Sequence, residues 1–142
     1  GDCMNLRANM YQKAQRELSL SDANPHQVIQ ILMRELLTQI YQSKVNIERG
    51  DIEAKSNSIT KAISIIGGLK GGLNMEQGAE IADNLNNLYD YMVMRLTEAN
   101  AQNSIDILDE LQALFAPIKD AWDQISEADK QKGYELIEKY NA

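Results

Sequence analysis

Residues 81–100 form the stretch of this sequence that most constrains the fold. Apolar side chains recur there at steps of three and four residues: Ile81, Leu85, Leu88, Met92, Leu96 and Ala99. This spacing places them on one stripe of an α-helix. The stretch therefore predicts a helix that packs one face against a core.

A second line through the same stretch suggests a different use. Asn84, Leu88, Tyr91 and Arg95 also follow helical spacing, and they combine two large side chains with a flat cation and an amide. Such a composition suits a surface that binds another chain. The alternative is that Tyr91 is a boundary tyrosine with its hydroxyl in water, and that Leu88 and Met92 belong to the core.

Length and turn chemistry favour a single all-helical domain. A chain of 142 residues can bury a core of its own without disulfides or metals. It contains 8 Gly and only 2 Pro, which is little turn chemistry for the many short strands of a sandwich or barrel. We therefore expect an all-α fold.

Charge narrows the range of partners. Asp and Glu number 21 against 14 Lys and Arg, which gives a net charge of −7 and makes nucleic acid an unsuitable partner. No apolar run approaches the roughly 20 residues that cross a bilayer, and the N-terminus lacks the pattern of a signal peptide. With a single cysteine, Cys3, the sequence predicts a cytosolic protein without internal disulfides or membrane insertion.

Capping residues predict the boundaries of the central helices. Asn24 followed by Pro25 and Gln27 is typical of a helix start with a capping box, and Gly50 is typical of the end of that helix. Asp51 then suits the N-cap of the next helix. The end of that third helix is left open, because its last turns contain the pairs at 67–68 and 71–72, and each Gly weakens a helix by roughly 1 kcal/mol.

The second half of the chain predicts three further features. Residues 74–78 and 100–103 are expected to be turns on either side of the fourth helix. The fifth helix has an apolar stripe consisting of Ile105, Leu108, Leu111, Leu114 or Phe115, Ile118, Trp122 and Ile125. Pro117 predicts a kink or a local break within 113–116. Ser126 and Asp129 suggest a capping box that opens a short C-terminal helix.

The N-terminal segment is expected to be a lid. We set residues 1–3 aside as a remnant of cloning, and assign 4–23 to a lid and linker, 24–125 to the bundle and 126–142 to a helical tail. Residues 6–18 have a narrow apolar face and are too short to form a stable helix alone. We expect them to cover part of a partner-binding groove, with Tyr11 inserted. The alternative is a permanently docked first helix.

Residue types that carry catalysis are scarce. The single histidine, His26, lies in the first turn of a helix and is expected to be a surface or N-terminal contact residue. A Cys–His pair would have to recruit Cys3, and a zinc site has too few ligands. The Glu-x-x-His pairs of di-iron bundles and the Gly-x-Gly-x-x-Gly of phosphate loops are missing. We therefore expect no catalytic residue, metal or cofactor, and a protein that works by binding.

Several motifs resemble a known family. They occupy residues 23–27, 50–52, 61–66, 78–85, 88–92, 95–96 and 98–100. The most specific is Leu88-Tyr89-Asp90-Tyr91-Met92 followed by Arg95-Leu96 at a fixed offset. In these motifs the chain resembles the flagellin-specific export chaperones, the FliS family, from about residue 11 to residue 125.

The resemblance implies an antiparallel four-helix bundle in the cytosol. Its partner would be the disordered C-terminal segment of flagellin, which it would keep from polymerising and deliver to the flagellar type III export gate. The sequence departs from the family at 33–35, where a Tyr/Phe-Asp-Gly run is common, at Ala79, which replaces a Gly, and at Pro117.

We predict a contact surface drawn from the N-terminal segment, the second helix and the fourth helix. Its members are Tyr11, Pro25, Val28, Ile31, Leu32, Leu88, Tyr91, Met92 and Arg95. Two other hypotheses remain: a non-catalytic adaptor bundle that self-associates through the same apolar faces, and, more weakly supported, an enzyme built on surface carboxylates. The sequence leaves the oligomeric state and the particular flagellin open.

Overall fold

The described part of the chain is a bundle of five helices. The computed structural model describes residues 2–18, 24–73 and 79–124, with the side chains of residues 2–8, 79 and 81 excepted. The helices are α1 (Asp2–Glu17), α2 (Pro25–Glu48), α3 (Ile52–Gly71), α4 (Ala79–Gln102) and α5 (Ile105–Asp123). Every regular element in these ranges is a helix, so the all-α prediction is confirmed.

Four of the helices form a closed ring. α2 packs against α3 and α5, and α4 packs against the same two helices. Only three residues separate α2 from α3 and two separate α4 from α5, so each pair is antiparallel. The side chain of Trp122 near the end of α5 reaches His26 at the start of α2, which closes the ring. α1 lies outside the ring against α3.

Local hydrogen bonds explain where α2 begins and ends. The side chain of Asn24 accepts from the Gln27 N–H at 2.9 Å, and that of Gln27 accepts from the Asn24 N–H at 3.2 Å. At the other end Gly50 has a φ of 70°, in the left-handed region. The N–H groups of Gly50 and Asp51 donate to the carbonyls of Ile47 and Asn46, each at 3.0 Å. The predicted boundaries of α2 are confirmed.

The next caps also follow local chemistry, with one correction. Asp51 accepts from the Ala54 N–H at 3.0 Å and caps α3 as expected. The turn predicted at 100–103 was placed too early, because α4 continues to Gln102. The chain reverses at Asn103, whose φ of 51° is tolerated by asparagine, and Ser104 caps α5 through the Ile107 N–H.

A buried lysine connects the start of α3 to the end of α4. Lys55 is 4% exposed. Its ammonium donates to the carbonyl of Asn100 at 2.9 Å and to the side chain of Asn103 at 2.7 Å. A cation at this position is favourable, because unpaired carbonyls and the helix dipole make the C-terminal end of α4 negative. This contact fixes one end of the α3–α4 pair.

The core shows how α4 is rotated. Its buried stripe consists of Ala82, Leu85, Tyr89, Met92, Leu96 and Ala99. Tyr89 is 1% exposed and lies 6.2 Å from the ring of Phe115, whereas Leu88 is only half buried. The predicted stripe therefore omitted Tyr89, and its member Leu88 packs only partly buried against the core. Tyr89 is the residue that fills the space between α4 and α5.

α5 is continuous through its proline. The helix runs unbroken from Ile105 to Asp123 with Pro117 inside it, so the predicted local break is wrong. Pro117 lacks the N–H that would bond the carbonyl of Ala113. Phe115 before it and Ile118 after it are both buried in the core, so the helix packs against the bundle on both sides of the proline. Phe115, and not Leu114, belongs to the buried stripe.

His26 is buried, contrary to the expectation of a surface position. It is 6% exposed, and its ring stacks on Trp122 with the centroids 4.7 Å apart and an interplanar angle of 14°. The indole N–H of Trp122 donates to the His26 carbonyl at 3.3 Å. The return of α5 to the start of α2 brings Trp122 over this position, and nothing near His26 in sequence indicates it.

Some predicted features lie outside the described residues. They are the linker at 19–23, the turn at 74–78, Ile125 and the capping box and helical tail from Ser126 onward. The division of the chain into lid, bundle and tail therefore stays a prediction.

Candidate partner-binding surfaces

Glycines of α3 form the bottom of a groove that α1 occupies, which we call the α1 groove. A Cβ added at Gly67 would lie 2.1 Å from Cε of Met10, and one added at Gly68 would lie 2.8 Å from Cβ of Ala14. A Cβ added at Gly72, just after α3, would lie 2.7 Å from Cδ1 of Ile29 on α2 and 3.1 Å from the Tyr11 ring. Without side chains at these positions, α1 can approach α3 closely. The glycines serve this packing, and α3 continues to Gly71 in spite of them.

α1 is attached by a narrow apolar face. Ala14 is 8% exposed, Tyr11 and Leu18 pack partly buried against the core, and Met10 remains 37% exposed. Burial raises the pKa of the Tyr11 phenol. The other described side chains of α1, at residues 9, 12, 13 and 15–17, are polar, so the apolar contact of this part of the helix rests on the residues just named. Such a short helix depends on this docking for its stability.

A crevice remains beside α1. It has a volume of about 310 Å³ and is lined by Met10, Lys13, Ala14, Glu17 and Leu18 of α1, Leu32 of α2, and Lys61, Ser64 and Ile65 of α3. Its bottom is apolar, because it is formed by the side chains of Leu32 and Ile65, which are only 0% and 5% exposed. Its edge is polar, and there Lys61 lies 3.7 Å from the carboxylate of Glu35. α1 thus fills its groove incompletely.

A second candidate surface lies between α4 and α5, where three charged residues and a tyrosine are connected. The Tyr91 hydroxyl donates to the carboxylate of Glu110 at 3.1 Å, and Nε of Arg95 donates to the same carboxylate at 2.9 Å. Nη1 of Arg95 also donates to Glu98 at 2.6 Å. We call this set, together with Leu88 and Leu114, the α4–α5 surface.

The hydrogen bonds of this surface set its charge state. The hydrogen bond from Arg95 lowers the pKa of Glu110 despite partial desolvation, and the bond from Tyr91 adds to this effect. Partial desolvation raises the pKa of Tyr91, and its bond to the Glu110 carboxylate raises it further. At neutral pH the surface therefore presents a carboxylate, a guanidinium and a neutral phenol in a fixed arrangement.

Apolar side chains surround this polar set. Tyr91 is 38% exposed and Leu114 37%. Met94, the next residue along the same face of α4, is 51% exposed, and Leu88 is half buried. Large apolar side chains next to an ordered arginine are the composition expected of a contact surface.

The structure divides the predicted contact residues into three groups. Val28, Leu32 and Met92 are fully buried in the core. Tyr11, Ile31, Leu88 and Arg95 are partly buried, while Pro25 and Tyr91 are exposed. Tyr91 and Arg95 do meet, through Glu110. Tyr11 and Leu32 belong to the α1 side of the bundle.

Sequence reasoning missed several members of these surfaces. Glu110 gave no signal, because its role depends on which face of α5 meets α4. Gly67 and Gly68 did carry one: the glycine pairs at 67–68 and 71–72 are four residues apart, which places them on one face of α3 and suits close approach of a neighbouring helix.

Two further observations concern the described residues alone. No cluster of three or more His, Cys, Asp or Glu side chains there is arranged to bind a metal ion. Within the same part of the chain, no helix is both long and apolar enough to cross a membrane.

Comparison with known sequences identifies the family. The sequence matches the family described as flagellar protein FliS over residues 7–129. The chain belongs to the FliS family. The match extends a few residues beyond the region of about 11–125 that the resemblance covers, and it includes most of α1.

Curated FliS proteins align over most of their own length. The flagellar secretion chaperone FliSB of Pseudomonas aeruginosa is 47% identical over 116 residues, which cover 82% of this chain and 92% of that protein. FliS of Salmonella typhimurium is 41% identical over 117 residues, covering 82% and 87%. FliS of Bacillus subtilis is 30% identical over 118 residues, covering 83% and 87%. All three are named flagellar secretion chaperones.

Proposed function

We propose that this FliS protein is a cytosolic export chaperone for flagellin. It binds the disordered C-terminal segment of flagellin, prevents premature polymerisation and hands the segment to the flagellar type III secretion system. The observation that carries the proposal is the α1 groove, a helix-shaped site on the bundle that already contains an amphipathic helix. Membership of a family of flagellar secretion chaperones supports the choice of partner.

α1 acts as a lid in this proposal. Its apolar face is narrow, and residues 19–23 connect it to the bundle. A partner helix that enters the groove must displace α1, so the closed population subtracts from the observed affinity. Tyr11 is the anchor of the closed state, because its ring contacts the Gly72 region. Leu32, which lies beneath α1, becomes available when the lid opens.

The rest of the contact surface is also a proposal. Leu88, Tyr91 and Arg95 reach a partner on the α4–α5 surface without rearrangement, because they are at least partly exposed. Val28 and Met92 are fully buried, and they contact a partner only where helices shift on binding. Pro25 and Ile31 extend the surface along α2. Binding of this kind is helix-in-groove recognition and uses no ATP and no metal.

Calorimetry with a flagellin C-terminal peptide tests the proposal. Coupled folding and binding typically buries roughly 1,000–3,000 Å² and gives a large negative heat-capacity change. Titrations at several temperatures should show that change. A heat-capacity change near zero would contradict an ordering transition, and a lack of binding would contradict the chaperone function itself.

Substitutions on α4 test whether the surface is a site. Tyr91→Ala and Arg95→Ala should weaken peptide binding while the melting temperature stays close to that of the unaltered chain. Thr97→Ala, an exposed polar position on a different face of α4 from Tyr91 and Arg95, is the matched control and should leave binding unchanged. Size-exclusion chromatography with and without the peptide separates this proposal from a self-associating adaptor, which would form a stable dimer and ignore the peptide.

A further inference from the structure

Two polar contacts cross the outer seam between α2 and α5. Near the start of α2, Nε2 of Gln30 donates to the carboxylate of Asp123 at 2.9 Å. Further along, Lys44 forms an ion pair with Asp109. The same number of residues, about four turns, separates the two contacts on both helices. The helices are therefore antiparallel, and the seam between the contacts has a regular register.

The seam between these polar contacts is apolar. Leu37 of α2 and Ala116 of α5 lie midway between them, so they face each other, and both are partly buried. One turn further along the seam lie Tyr41, which is 52% exposed, and Ala113, which is also exposed. We call these four residues the α2–α5 strip. Because the α5 side consists of alanines, another helix can lie close against it.

The C-terminal segment leaves the bundle at one end of this strip. Asp123 is the last residue of α5, and residues 125–142 follow it in the sequence. Apolar side chains recur there at helical spacing: Tyr134, Ile137 and Tyr140. A helix that turns back after α5 has the same rise per residue as α5. Residue 134 therefore returns to about the level of Ala116, and residue 137 to about that of Ala113.

The charges of the segment match those at the same end of the seam. A helix returning along α5 is parallel to α2, and its right-handed twist turns Lys130 towards α5 and Asp129 towards α2. At that level α5 carries the exposed carboxylate of Asp120, and α2 carries the exposed guanidinium of Arg34. Each charged residue of the segment thus meets a charge of opposite sign.

We propose that residues 126–142 form a helix that docks on the α2–α5 strip of the same chain. The strip lies on a different face of α2 from Leu32 and Glu35, which border the α1 groove. The inference is therefore independent of the proposed function. The family match ends at residue 129, before the apolar residues of the segment, so this helix is an addition to the family bundle. It clasps α2 to α5 and makes the strip inaccessible to other chains.

Disulfide formation in the full chain tests the contact. The single cysteine is replaced by Cys3→Ser, and Ala113→Cys is combined with Ile137→Cys. Docking brings the two thiols together, so mild oxidation should link them within one molecule roughly tenfold or more faster than in a control. The control pairs Ile137→Cys with Thr97→Cys, because Thr97 is also exposed but lies on α4. Equal rates, or links between molecules instead, would overturn the inference.

Hydrogen exchange provides a second measurement that needs no cysteine. Amides 134–138 should exchange more slowly in the unaltered chain than in a free peptide of residues 125–142. Ala113→Glu places a carboxylate in the strip and should accelerate this exchange by roughly tenfold, whereas Thr97→Glu should not. Exchange as fast as in the free peptide, or protection that Ala113→Glu leaves unchanged, would contradict docking on the strip. Flagellin is absent from both experiments, so these outcomes leave the proposed function untouched.

Discussion

Tyr89 and Tyr91 lie two residues apart on α4 and have opposite environments. Tyr89 is 1% exposed against Phe115, while Tyr91 is 38% exposed and donates a hydrogen bond to Glu110. A step of two residues rotates the side chain by more than half a turn around a helix, so the two tyrosines face in different directions. One contributes to the core and the other to the α4–α5 surface.

This difference predicts a contrast in stability. Tyr89→Ala should lower the free energy of unfolding by about 3–5 kcal/mol, because it leaves a large cavity between α4 and α5. Tyr91→Ala should leave the melting temperature much closer to that of the unaltered chain, because Tyr91 is 38% exposed at the surface and its loss leaves no cavity in the core. Thermal and denaturant unfolding of the two variants measures the contrast. Equal losses would show that Tyr91 is a core residue.

Glu110 predicts a dependence of stability on pH. Hydrogen bonds from Arg95 and Tyr91 hold its pKa in the folded protein below the ordinary value of 4.5. Its contribution to stability is therefore fully present above that ordinary value, and it is lost as pH falls through the lower folded value. Near neutral pH, Glu110 stays ionised in both the folded and the unfolded protein, so its contribution to stability should not change with pH there.

The comparison that isolates Glu110 is with Glu110→Gln. The difference in unfolding free energy between the two proteins should be constant from neutral pH down to about 4.5 and should shrink below it. Denaturant unfolding at a series of pH values measures this difference. A difference that grows on acidification would mean that the carboxylate is not the stabilised form.

At the scale of elements, the glycines of α3 lower the intrinsic stability of that helix and allow α1 to pack closely against it. Gly67 and Gly68 each weaken α3 by about 1 kcal/mol relative to alanine. In return they let α1 pack within a distance that a Cβ would prevent. The helix ends show the opposite case, because Asn24, Gly50 and Asp51 are favourable both locally and in the folded bundle.

Gly68→Ala should therefore separate the stability of the bundle from the docking of α1. The added Cβ would lie 2.8 Å from Cβ of Ala14, so α1 should move away and its amides should exchange faster. The helical propensity of α3 should rise by about 1 kcal/mol, so the bundle itself should not be destabilised. Hydrogen exchange and denaturant unfolding measure the two effects separately.

A second substitution provides the control. In a chain that already carries Ala14→Gly the clash is removed, so adding Gly68→Ala should not further accelerate exchange of α1. The double-mutant cycle isolates this contact from the effect of each substitution alone. Unchanged exchange of α1 in the single Gly68→Ala variant would contradict the packing described for the groove.

At the scale of the whole molecule, the ring of α2 to α5 contributes more of the described core than the helix α1 does. The ring contains most of the fully buried side chains and is closed by contacts such as that of His26 with Trp122. α1 contributes Ala14 to the buried set and packs against the ring from outside. The proposed lid mechanism requires a stable frame and a helix that can leave it, and this division is consistent with both requirements.

Removal of residues 1–18 should leave a folded bundle. We expect helical circular dichroism with one cooperative unfolding transition, because the core of the ring is retained. Loss of α1 should expose Leu32 and Ile65 and increase the binding of an apolar dye. Binding of the flagellin peptide should be preserved or tightened, since the competing lid is gone. A shortened chain that does not unfold cooperatively would instead make α1 a permanent part of the fold.

The sequence by itself determined the features that depend on neighbours within a few residues. The ends of α2 and the start of α3 were predicted because a capping residue and the N–H it accepts lie within one turn. The all-α class followed from periodicity over long stretches and from scarce turn residues. The family was recognisable because its motifs are contiguous in sequence, as in residues 88–92.

Only the tertiary structure decided how each helix is rotated and what covers it. Periodicity allowed either Leu88 or Tyr89 in the core of α4, and contact with Phe115 selected Tyr89. His26 is buried by Trp122, 96 residues away, and Gly68 is explained by Ala14 on another helix. The local pattern is the same for either rotation of a helix, because the choice depends on the volume and shape of side chains that are distant in sequence.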